Sequence, residues 1–211
     1  MTPADLVAFE ADIAEHFNAG DIRAPIHLSG GNEDQLISYF GHNYHPGDWV
    51  CTTWRSHYHC ILAGVPPAEL KTAILAGRSI TLCFPKHRVI SSAIVGGILP
   101  IALGIALGIK RQQDMMRSWV DEEVAGIIYK QPAHVHVFVG DMTARTGAYH
   151  EATSYARCQD LPITFVTEDN GKSVLTNTIE AWGTSPFLGS EHRYTYELPW
   201  PHAGAGRRVE F

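Results

Sequence analysis

Paired cysteine is the first thing this sequence lacks: the four cysteines, at 51, 60, 83 and 158, form no Cys-x-x-Cys pair. That excludes a disulfide framework and leaves reduced, mostly buried thiols as the expectation. Charge is scarce as well. Asp, Glu, Lys and Arg make up 18% of the 211 residues, and the formal net charge is -6. So little charge argues against long disordered tails, and the acidic balance leaves no basic footprint for nucleic acid. A bilayer-spanning run is missing too, since the most apolar stretch, residues 93–109, is interrupted by Pro100 and four glycines. The opening MTPADLVAFEADIAEHF is acidic and amphipathic rather than basic and then apolar. No signal peptide and no membrane contact are therefore expected, and the cytoplasm is the expected compartment.

What is present is enough apolar material, 45% of the chain, for one substantial core, so residues 1–211 are read as a single domain. Thr2 can cap a helix with Pro3 in its first position, and Leu6, Phe9, Ile13 and Phe17 then recur at helical spacing up to Gly20. Loops are expected at Ser29-Gly30-Gly31-Asn32 and at His45-Pro46-Gly47-Asp48. Pro66-Pro67 opens a short helix through Leu75, stopped by Gly77. Residues 97–110 are apolar all round, which predicts a buried helix whose Gly97, Gly104 and Gly108 allow close backbone approach. In the second half, residues 134–139 predict a strand, 147–158 a helix and 163–167 another strand. Strand, helix and strand over that length imply a right-handed parallel crossover, hence an α/β fold with a parallel sheet flanked by helices. A short strand is expected at YTYEL, before a Pro/Gly-rich tail.

Asp141 follows the first strand of the crossover and Asn170 the second. Ligands of open parallel sheets collect at the carboxyl ends of strands, so both side chains are expected in one crevice. The amides near Thr146-Gly147 suit a phosphate. A carboxylate and an amide carbonyl are hard oxygen ligands, right for Mg2+ that keeps phosphate oxygens in its shell. The bland alternative is that Asp141 caps a helix and Asn170 sits in a turn.

The order Gly140-Asp141-Met142, Gly147, His150-Glu151-Ala152, Leu161-Pro162 and Glu168-Asp169-Asn170 resembles the thiamine-diphosphate motif. More narrowly, it is similar to the alpha subunit of 2-oxo-acid dehydrogenase decarboxylating components of the pyruvate, branched-chain and acetoin types. Upstream, His27 to Glu33, Thr53-Trp54-Arg55-Ser56-His57 with Leu62-Ala63-Gly64, and Ala93-Ile94-Val95-Gly96 resemble further segments of that family. The resemblance implies a thiamine-diphosphate-binding fold. It implies that Asp141, Asn170 and a main-chain carbonyl near Lys172 hold Mg2+. Arg55, Trp54, Gly140, Met142 and Thr143 would meet the cofactor's diphosphate side, and Ile94 and Val95 its rings. Arginine suits a phosphate because its planar fork matches the oxygens. His57 belongs to the matched stretch and is carried as a catalytic candidate. His202, in Pro201-His202-Ala203-Gly204, stands where a contracted active-site histidine loop would fall, as a proton-transfer or substrate-anchoring group or as an ordinary tail histidine.

The match has departures. Met142 replaces the second glycine of the family's triplet, and Ala93 replaces another glycine. The chain is also shorter than a typical alpha subunit. The family's cofactor-activating glutamate comes from a beta-type subunit, and no internal substitute is visible here. The resemblance therefore implies a partner supplying that glutamate, a heterotetramer of two alpha and two beta chains, and a 2-oxo acid substrate that is decarboxylated with acyl transfer. A carboligase or transketolase-like subunit is the competing reading, and a scaffold that lost cofactor binding is another. A zinc hydrolase built on His42, His45, His57, His59 and Cys60 is a third, although their spacing matches no regular ligand pattern.

Overall fold

Thr2 fixes the start of the first helix: the Asp5 carboxylate accepts from Thr2 N at 2.7 Å while the Thr2 hydroxyl accepts from Asp5 N. The helix, α1 (Pro3–Ala19), stops at Gly20, whose φ of +85° other residues rarely adopt. The computed structural model describes residues 1–119, 133–183, 192–203 and 209–211. Next along the chain come α2 (Glu33–Asn43), β1 (Trp49–Thr52), α3 (His57–Leu62), α4 (Pro67–Leu75), β2 (Cys83–Phe84), β3 (Val89–Ser91) and α5 (Ile98–Arg117). The second half holds β4 (Val135–Gly140), α6 (Gly147–Cys158), β5 (Ile163–Asp169), the hairpin β6 (Lys172–Ser173) and β7 (Thr176–Asn177), α7 (Thr178–Trp182) and β8 (His192–Thr195).

The main sheet runs β2-β3-β1-β4-β5-β8, with every pairing parallel except β2 with β3. Its central strand β4 is buried on both faces, as strands covered by helices are. Val135, Val137 and Val139 of β4 share a core with α5 and α6, while Phe138 packs against Tyr39 and Phe40 of α2 and His59 of α3. The expected crossover is present, and α6 matches its expected bounds.

Two expectations need correction. The helix expected over 97–110 is not buried all round: Ile98, Leu99, Ala102 and Ala106 are buried, while Ile101, Gly104 and Gly108 are exposed. A Cβ at Gly104 or Gly108 would meet nothing within 4 Å, so neither brings another backbone close inside this chain. The reason is that apolar residues on every side of a helix need two neighbours, and the sheet supplies one. The thiols divide evenly, with Cys51 and Cys60 buried and Cys83 and Cys158 exposed. No helix among the described residues is long and apolar enough to cross a membrane.

At the amino ends of the strands, Asp48 ties the loop before β1 to the start of β4. Its carboxylate accepts from His45 N at 2.8 Å, from His134 N at 2.8 Å and from the His136 ring at 3.2 Å. Burial and the neighbouring His136 push the His134 imidazole down to about 4. A histidine whose folded value lies below its unfolded one gives stability that is present above about pH 6.5 and lost as pH falls toward 4. With allowance for partial exposure, the loss from this group is about 1–2 kcal/mol. Urea midpoints at pH 7.5 and pH 5 should show it, and His134→Gln should flatten that difference; an unchanged difference would move the acid sensitivity elsewhere.

The C-terminal strap closes the other end. At Gly31, with φ of +79°, a Cβ would lie 1.9 Å from the Glu197 carbonyl oxygen, so only glycine fits under the strap. Phe211 packs on Phe17 with ring centroids 5.0 Å apart, and its backbone bonds the Asn18 amide.

Candidate functional site

Four strand ends converge on one small cavity of about 40 Å³. From the end of β1 come Thr53, Trp54 and Arg55; from β4, Gly140, Asp141, Met142 and Thr143. Glu168 and Asn170 arrive from β5, Lys172 to Val174 from the hairpin, and Tyr196 from beyond β8. This convergence is a consequence of parallel pairing, which places the carboxyl ends of neighbouring strands on one edge.

Asp141 is 4% exposed. One of its oxygens, Oδ2, accepts from the Thr178 hydroxyl, and Oδ1 is buried with no hydrogen-bond partner among the described residues. Burial pushes its carboxyl up to about 6, and the nearby Asp169 charge adds to that against the Thr178 bond. Asp169, by contrast, is held low in spite of burial because Arg193 and the Gly171 amide bond its carboxylate. Asn170 Oδ1 accepts from Lys172 N at 3.1 Å, and its amide donates to Tyr196 at 3.4 Å.

The cationic wall is Arg55. Burial lowers its tendency to hold a proton, and Tyr196 and Glu168 oppose that effect. Its Nη2 lies 3.3 Å from His202 Nδ1, and His202 stacks on His27 at 4.4 Å between centroids. Arg55 Nε and Trp54 Nε1 are buried donors without partners among the described residues. Behind this wall Glu168 accepts from Asn32 at 3.3 Å and from the Tyr194 hydroxyl. His59 Nε2 lies 3.2 Å from the same carboxylate.

These atoms meet what a magnesium–diphosphate group asks for in charge and hydrogen bonding. The orphaned Asp141 oxygen, crowded by a second carboxylate, is matched to a cation, and the orphaned Trp54 and Arg55 donors are matched to phosphate oxygens. The fit in volume is poorer, because about 40 Å³ has room for only a few waters.

Not every expected site residue lies here. Ile94 and Val95 occupy the loop between β3 and α5, at the same edge of the sheet, but are 73% and 49% exposed and do not line the cavity. His57 is fully buried: its ring meets the Glu10 carboxylate at 3.0 Å and Ser79 Oγ at 2.9 Å. Contact with a substrate is closed to it in this position. Gly204 lies outside the described residues. The zinc reading fails, since among the described residues no three His, Cys, Asp or Glu side chains gather to hold a metal. In the other direction, sequence reasoning passed over Glu168 and Tyr196, which line the cavity, and Thr178, which bonds Asp141. Glu168, near the end of β5, and Tyr196, just after β8, carried a positional signal, whereas Thr178 carried none, 37 residues from the aspartate it bonds.

The family described as dehydrogenase E1 component matches residues 2–188. The chain belongs to that family. Among its relatives is the alpha subunit of an acetoin:2,6-dichlorophenolindophenol oxidoreductase of Bacillus subtilis, 30% identical over 179 residues, which cover 79% of this chain and 48% of that protein. An alpha subunit of the pyruvate dehydrogenase E1 component from Porphyra purpurea is 30% identical, covering 77% of this chain and 47% of the relative. The chloroplastic alpha-3 subunit of Arabidopsis thaliana is 25% identical, covering 86% and 44%. The chain thus spans about half the length of the curated relatives it matches. Its mostly parallel sheet flanked by helices is the α/β fold of the E1 component family, and the resemblance to alpha subunits holds over about four-fifths of the chain.

Proposed function

We propose that this E1-family chain is the alpha-type subunit of an enzyme that uses thiamine diphosphate and Mg2+ to decarboxylate a 2-oxo acid with acyl transfer. The observation that carries this is the orphaned, buried Asp141 oxygen set opposite the orphaned Arg55 and Trp54 donors. Asp141, Asn170 and the Lys172 carbonyl would hold the metal. Arg55, Trp54, Thr143 and the backbone of Gly140 and Met142 would hold the diphosphate, with Ile94 and Val95 toward the rings. When bound, thiamine diphosphate supplies a thiazolium carbon that adds to a carbonyl and serves as an electron sink. His202, next to Arg55, is the residue placed to anchor a substrate carboxylate or move a proton at its ring nitrogen. Any part played by His57 runs through Arg55, two residues earlier, as positioning.

The activating glutamate is assigned to a beta-type partner, in a heterotetramer, in the cytoplasm. The exposed Ile101, Gly104 and Gly108 face of α5 is open for a helix of that assembly.

The test is calorimetric titration of thiamine diphosphate into the chain, alone and with its partner, in the presence and absence of Mg2+. Heat that requires Mg2+ and grows with the partner is the expected result. No heat in any arm would leave a scaffold that kept the fold and lost the cofactor.

A further inference from the structure

The backbone at Met142 lies at φ -68° and ψ -41°, ordinary right-handed geometry open to any residue. Methionine in place of the family's glycine therefore strains nothing locally; its effect is on space. The Met142 Sδ accepts from the Trp182 indole N–H at 2.9 Å. Thr178, at the opposite end of the same five-residue helix, donates to Asp141. Both ends of α7 are thus fastened to Asp141-Met142, which line the cavity of about 40 Å³, although α7 itself does not line it. At about 10–15 Å³ for each water, a space of that size takes a few waters, fewer atoms than a diphosphate brings.

We infer that Met142, clasped by Trp182, decides what this cavity admits, and that α7 must come off Met142 before a diphosphate enters. The inference rests on the cofactor reading proposed above. Of the remaining walls, Asp141, Thr143 and Glu168 are buried at the ends of β4 and β5 in the middle of the sheet and are poorly placed to yield. The exposed Lys172 and Val174 belong to the hairpin that runs directly into α7. In α7, Ile179 is 65% exposed and Trp182 48% exposed, so moving it uncovers little apolar surface. The clasp acts as a closed state that must be opened, which lowers apparent affinity by the fraction of molecules open at any moment.

The experiment is 19F NMR on the full chain labelled with 5-fluorotryptophan, with Trp182 among five tryptophans assigned through Trp182→Phe. It is titrated with Mg2+ plus inorganic diphosphate and with Mg2+ plus thiamine diphosphate, and binding is followed independently by 31P NMR. The Trp182 line should move with both ligands, while that of Trp200, in the C-terminal strap against Phe211, should not. Met142→Gly, or Met142→Ala if the glycine variant folds poorly, should bind both ligands about 3–10-fold tighter. Binding by the variant alone also upholds the clasp. Binding without a Trp182 shift, at equal affinity in wild type and variant, overturns it and leaves the cofactor reading standing. No 31P change in either protein, alone or with the beta-type partner, overturns the cofactor reading, and the clasp with it.

Discussion

Replacing Glu10 by alanine is expected to cost about 3–5 kcal/mol of folding stability, the range seen when one partner of a buried pair is removed. Glu10 is 0% exposed. Its carboxylate accepts from Ser29 N at 2.7 Å and from the His57 ring at 3.0 Å, and His57 in turn meets Ser79. Alanine would leave a buried amide, a buried imidazole and a cavity at once, and each adds to the loss. Glu10→Gln keeps an acceptor and should lose far less. Urea unfolding of the two variants against wild type checks this, and an alanine variant within about 1 kcal/mol of wild type would refute it. The functional interest is in what Glu10 holds: Ser29 is two residues from His27, and His57 two from Arg55, so one side chain of α1 sets the loops bearing the stacked His27–His202 pair and the arginine.

Asp141→Asn should separate binding from folding. Asparagine has nearly the same shape, can still accept from Thr178, and carries no charge to the metal. On the proposed reading Asp141 coordinates the metal directly, so its loss should weaken Mg2+-dependent binding of thiamine diphosphate by at least about 100-fold, since even outer partners of a metal ligand are worth about 10–100-fold. Folding should not suffer. Burial and Asp169 disfavour the ionised Asp141, so a neutral replacement should leave the thermal midpoint of the ligand-free protein unchanged or a few degrees higher at pH 7. Calorimetry for binding and a thermal scan for folding are sufficient. Binding within a few-fold of wild type would remove Asp141 from the metal site. A variant that melts well below wild type would make the Thr178 bond its main purpose, which is the bland reading of this aspartate.

Helix boundaries were legible wherever a local device set them. Thr2, Asp5 and Gly20 bound α1, and Pro66-Pro67 opens α4, because caps and prolines act within one turn and need no distant partner. The crossover from β4 through α6 to β5 was legible for a related reason: a buried strand and an amphipathic helix each declare their period in ten residues or so. Asp141 and Asn170 could be placed in one crevice once those strands were parallel, since chain direction alone decides which edge their ends share.

Burial of α5 was misjudged because a sequence shows how apolar a helix is but not how many neighbours it finds. The role of His57 was likewise hidden, for the carboxylate and hydroxyl that enclose it come from residues 47 positions before and 22 after. The same holds for Met142. Its sequence position marks a lost glycine, whereas its consequence depends on Trp182, 40 residues on. What the sequence determined by itself was the set of local elements, their direction and the chemistry at their ends, all governed by short-range sterics and periodicity. Only the tertiary structure decided which polar groups were paired, which were left with an unmet bond, and how little room lay between them, because those are properties of surfaces brought together from distant parts of the chain.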